Sequence, residues 1–142
     1  MDIERVVDQV YGILSRNGLH FDARPDGREY RIPYDSAFVY CLFEQMGERV
    51  VLMLHSPLLA EVDESVPGTE KLLAAVNEVN CRLRFGKVCW YAGAKTVRLE
   101  HYLGGDDLQG AELMAALGAI AATAEEEDDR LRTALGTGKR AR

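Results

Sequence analysis

The chain has few of the residues that mark the simplest functional classes. Its three cysteines, Cys41, Cys81 and Cys89, are odd in number and contain no C-x-x-C pair. A disulfide scaffold is therefore excluded, and reduced thiols in a cytoplasm are the default. No long apolar run is present: the most apolar helical stretch, Ala111 to Ala124, carries Glu112 and is too short to cross a bilayer. The start, with Asp2 and Glu4, lacks the basic and then apolar pattern of a secretory signal. Glycines 93, 104 and 105 form neither G-x-G-x-x-G nor a G-K-[ST] phosphate loop. Positive charge is also short, at 17 Lys+Arg against 23 Asp+Glu. Because Lys139, Arg140 and Arg142 crowd the C-terminus with no acid among them, the rest is more acidic than the net −6. Such a surface repels phosphates, which argues against nucleic acid and anionic membrane as partners.

What is present is an ordinary globular composition, 47% hydrophobic over 142 residues, enough for one self-supporting domain. Ile3, Val6, Val7, Val10, Tyr11 and Leu14 share one helical face, with Asp2 as cap and Asn17-Gly18 as stop. Leu19 to Pro33 reads as a short hairpin around Pro25-Asp26-Gly27, with Pro33 marking a strand edge or end. Ala37 to Phe43 and Arg49 to His55 form a hairpin across Gln45 to Glu48. Both strands are apolar at nearly every position, where a strand with one wet face would alternate. One layer of helices covers one face, so the other must meet a second copy, a peptide or a flanking segment.

Ser56 to Gly68, with two prolines and the acidic run Glu61 to Glu64, reads as a loop. A second helix starts near Thr69, with a stripe through Leu72, Leu73, Val76, Val79 and Leu83. Lys87 to Tyr91 and Thr96 to Tyr102 make another hairpin. After Gly104-Gly105, with Asp106 or Asp107 as cap, a third helix runs through Leu113, Leu117, Ile120, Leu131 and Leu135, crossed by the acids 125–129. The class is α+β in the order α-β-β-β-α-β-β-α, a largely antiparallel sheet with helices mainly on one face. Residues 1–135 are one domain, and 136–142 read as a basic, disordered tail.

The segment Leu72-Leu73-Ala74-Ala75-Val76-Asn77-Glu78-Val79-Asn80, followed by Leu83-Arg84-Phe85-Gly86-Lys87-Val88, resembles YbjN-domain proteins. Those proteins similarly carry paired asparagines before a short link into a strand, and their fold is shared with class I (CesT-like) type III secretion chaperones. The strand Val97 to Glu100 and the acidic final helix add to the likeness, which spans Ile3 to Leu135. The resemblance implies a homodimeric, non-enzymatic module that binds an extended peptide; the cysteine usage points to the cytoplasm, and no cofactor or metal is expected.

Candidate residues follow. Phe38, Tyr40, Leu42, Val51, Met53 and Trp90 are assigned to a peptide or dimer interface, and Asn77 and Asn80 to structural bonds with backbone. His20, His55 and His101 show no metal-ligand spacing. Two alternatives stand beside the binding module. One is a small-molecule domain with a pocket lined by Phe43, Met53 and Trp90; the other is an enzyme using Glu100, His101 and Asp106.

Overall fold

The computed structural model describes residues 2–141. Helix α1 (Ile3–Arg16) is capped by Asp2, whose side chain accepts from the Glu4 N–H at 3.0 Å. It stops at Asn17 and Gly18, the latter at φ 68°. Strands β1 (Asp22–Ala23), β2 (Glu29–Tyr34), β3 (Ala37–Met46) and β4 (Arg49–Ala60) follow. Then come α2 (Thr69–Arg82), β5 (Lys87–Tyr91), β6 (Thr96–Gly104), α3 (Gly110–Leu135) and β7 (Lys139–Arg140). Every pairing is antiparallel, in the order β1-β2-β3-β4-β6-β5, with β7 joined to β4. The anticipated α-β-β-β-α-β-β-α order is present, with the two-residue strands β1 and β7 added.

Strands β3 and β6 run a few residues past their expected ends, to Met46 and Gly104, and three larger differences follow. Strand β4 runs on to Ala60, through residues taken for a loop. Pro57 is tolerated there because the β4–β6 register shifts between Pro57 and Leu59, and because β3 has parted from β4 after the Tyr40–His55 pair. At that parting the Ser56 hydroxyl donates to the Phe38 carbonyl at 2.8 Å. Helix α3 is entered through Gln109 rather than Asp106 or Asp107; Asp107 instead takes a left-handed turn conformation at φ 61°. The segment taken for a disordered tail leaves α3 through left-handed Gly136 and forms β7 against Leu59 and Ala60. Arg142, part of that expectation, lies outside the described residues.

The strands' inward positions make one core with the helices. Ile32, Val39, Cys41, Leu52, Leu54, Val97 and Leu99 are fully sealed, as are Val10 and Leu14 of α1, Leu72 of α2 and Leu113 and Leu117 of α3. The alternation on β3, buried at Ala37, Val39, Cys41 and Phe43 and half-exposed at Phe38, Tyr40, Leu42 and Glu44, shows which face the helices take.

Candidate functional site

The face of the sheet turned away from the core is set by register. Cross-strand partners share a face, so Tyr40 pairs with His55, Leu42 with Met53, Met53 with Tyr102, and His55 with Glu100, all on the outer side. Glu29, Arg31 and Pro33 of β2 and Lys87, Cys89 and Tyr91 of β5 extend that face. Met53 is 9% exposed yet lies outside the main core cluster, buried by its neighbours on the sheet rather than by a helix.

Of the six residues assigned to the interface, Phe38, Tyr40, Leu42, Val51 and Met53 lie together on this face. Trp90 does not. It pairs with the fully buried Val97 and packs against the core, one position out of phase with the outer residues of β5. A tryptophan in a two-faced apolar strand gives no phase from composition alone, which is why the sequence could not place it.

The face is less greasy than its sequence suggested. Flanking charges lie over the aromatics: the Arg31 guanidinium is 4.0 Å from the Phe38 ring centre and that of Arg98 is 4.7 Å from Tyr91. His55 stacks on Tyr40 at 5.0 Å and 12°. Its Nε2 faces Glu29 Oε2 at 3.5 Å, and Glu29 also pairs with Arg24 at 2.9 Å. Burial pushes the His55 pKa down against the opposing pull of Glu29, which holds the ring neutral at pH 7. Glu100, 3% exposed, accepts from the Tyr91 hydroxyl and faces the Cys89 thiol at 3.5 Å. Burial and this carboxylate raise the pKa of Tyr91 and of Cys89, so neither side chain ionises at neutral pH.

At the centre lies an open cleft of about 330 Å³, lined by Arg24, Glu29, Tyr40, Leu42, Met53, His55, Pro57, Thr96 and Arg98. Two buried polar atoms on its wall, His55 Nδ1 and Thr96 Oγ1, have no hydrogen-bond partner. Unpartnered buried polar atoms are rare and costly. With Nε2 turned to Glu29, neutral His55 keeps Nδ1 as a buried acceptor, while Arg24 and Arg98 bring donors to the cleft and Glu29 an acceptor. The cleft is thus complementary to a group carrying both an N–H and a C=O, such as a peptide unit.

The remaining candidates separate. His101 is on the helix side, stacked on Phe85 at 3.8 Å, whereas Glu100 faces outward, so the imagined Glu100–His101–Asp106 group is not assembled. Phe43 points into the core and Met53 away from it, so these residues and Trp90 cannot line one pocket. Asn80 makes two bonds to edge strand β5: its Nδ2 donates to the Val88 carbonyl at 2.9 Å and its Oδ1 accepts from the Val88 N–H at 2.6 Å. Asn77 is exposed on the outer side of α2. Among the described residues, no three His, Cys, Asp or Glu side chains are grouped to hold a metal ion. Nor, among them, is any helix long and apolar enough to cross a membrane.

Comparison with known proteins adds to this geometry. Residues 4–142 match the family model TY-Chap1, described as "T3SS (YopN, CesT) and YbjN peptide-binding chaperone 1". The chain is similar in structure to YbjN from E. coli, described as a putative transcription regulator, at TM-score 0.60 and 12% identity over 87% of this chain and 92% of that one. It is similar to a chain of the ExsC-ExsE complex at TM-score 0.64 and 19% identity, covering 92% and 97%. A third likeness is to the Yersinia pestis type III secretion chaperone SycH, solved with a fragment of YscM2, at TM-score 0.56 and 13% identity, covering 88% and 98%. At these identities the structures speak for the fold. No curated protein matches the chain.

Proposed function

Because the chain belongs to the TY-Chap1 family of type III secretion and YbjN peptide-binding chaperones, we propose that it holds an extended segment of a client protein across its open sheet face. It acts as a cytoplasmic homodimer that binds without carrying out a reaction. The observation that supports this most directly is the open cleft, where the charged Arg24, Glu29 and Arg98 stand beside Tyr40, Leu42 and Met53. The charged groups offer hydrogen-bond partners to a peptide backbone, and Leu42, Met53 and Tyr40 offer apolar surface to its side chains. The cleft is open and charged on its rim, which favours a segment passing over it rather than an enclosed small molecule.

A photo-crosslinking residue at position 42 of the full chain, followed by pull-down from the native host, tests the reading. The expected product is a crosslink to one extended segment of a client, lost in Arg98→Glu and in Met53→Lys chains that remain folded. Crosslinks indifferent to both substitutions would refute it.

A further inference from the structure

We propose that the far end of β4 is a docking edge for extended basic segments, and that the chain's own residues 137–141 occupy it as an internal competitor. The inference rests on the segment-binding reading above and specifies the chemistry of the segment. After His55, β4 has no β3 partner, yet it continues to Ala60. Its free side is filled by β7, with Arg140 opposite Leu59 and Lys139 opposite Ala60. A strand of two residues is too short to be held by its ladder alone.

Side chains make the seat selective for positive charge. Arg140 Nε lies 3.2 Å from Asp128 Oδ2 and 3.8 Å from Asp129 Oδ1, and Lys139 Nζ lies 2.9 Å from Glu61 Oε2. The Asp128 side chain is 1% exposed, so its carboxylate strongly disfavours losing the cation beside it. A segment that replaces the tail meets the same three carboxylates, Glu61, Asp128 and Asp129, and is favoured when it brings a Lys or Arg of its own. The exposed pairs made by Lys139 and by Asp129 hold the tail only weakly, which leaves it displaceable. Nearer α3 the fit is steric. Thr137 Oγ1 accepts from the Asp63 N–H at 3.0 Å, and a Cβ on Gly138 would lie 3.0 Å from Val62 Cγ2 at a φ of 95°. The acidic chain, at net −6, draws such segments in.

The probe is a fluorescent peptide of the tail's own sequence, Gly-Thr-Gly-Lys-Arg-Ala, titrated by anisotropy against full-length chains. Two variants open the edge by different routes: Lys139→Ala with Arg140→Ala removes the cations, and Gly138→Val forces the tail away from Val62 while keeping every charge. Each is expected to bind the probe at least tenfold more tightly than the parent chain. Adding Asp128→Asn to either should abolish that gain, and a probe with Glu in place of Lys and Arg should not bind. Equal affinity for parent and opened chains, or a gain that survives Asp128→Asn, would overturn the inference. The position-42 crosslink reports the open face independently, so failure of one reading leaves the other distinguishable.

Discussion

Asn77 and Asn80 sit three positions apart on α2 and look equivalent in the sequence, but only Asn80 reaches across to β5. Its carboxamide gives the Val88 backbone both bonds that a neighbouring strand would supply, so it closes the edge of the sheet where β5, among the described residues, has no further strand partner. Asn80→Ala is expected to destabilise the chain by about 1–3 kcal/mol, because it leaves two backbone groups unpaired. Asn77→Ala should change stability by less than about 0.5 kcal/mol. Urea denaturation separates the two, and equal effects would contradict this assignment. His55 carries a second prediction. Burial first, opposed by Glu29, lowers its pKa below the ordinary 6.5, and burial lowers that of His101 too. Between the folded and unfolded values the unfolded chain binds more protons, so stability falls as pH drops below about 6.5. His55→Gln with His101→Gln should flatten the stability curve over this range. A slope unchanged in that variant would assign the pH dependence elsewhere.

Elements bounded by strong local signals could be read from the sequence. The Asp2 cap and the Asn17-Gly18 stop fall where capping chemistry places them, and α2 starts at Thr69, as its apolar stripe indicates. The second half of β4 could not be read, because Pro57 and the acids beyond it have the composition of a loop. The bulge and the absence of β3 that make Pro57 acceptable are tertiary facts. In the same way, the basic tail carries no strand pattern. Its place comes from the β4 edge and from partners such as the buried Asp128, which are brought together when α3 folds onto the sheet. The connection from α2 into β5 is also set by contact. Gly86 has φ 75°, and a Cβ there would lie 2.7 Å from the Glu100 carbonyl oxygen. Gly86→Ala should therefore cost about 1–3 kcal/mol through overpacking, on top of the backbone strain. Gly93→Ala, in the β5–β6 turn with open space around it, should be near neutral in the same thermal melts.

For the molecule as a whole, the two-faced apolarity of β3 and β4 identified the open face but not its charge cover. The arginines that cover it come from β2 and β6, and only the register brings them over Phe38 and Tyr91. This cover decides how a second copy can meet the chain. A plate of bare aromatics would pair with itself. A face of alternating aromatic and charged pairs, already stacked internally, offers less apolar area to a copy and more hydrogen-bonding chemistry to a polar backbone. If the client uses this face, the subunit contact of the proposed homodimer must lie elsewhere on the surface. Light scattering coupled to size exclusion should then give twice the 15.8 kDa chain mass, both for the parent and for Met53→Lys. A parent chain eluting as a monomer at micromolar concentration would defeat the homodimer. A dimer that dissociates on Met53→Lys would instead make the open face the subunit contact and displace the client from it.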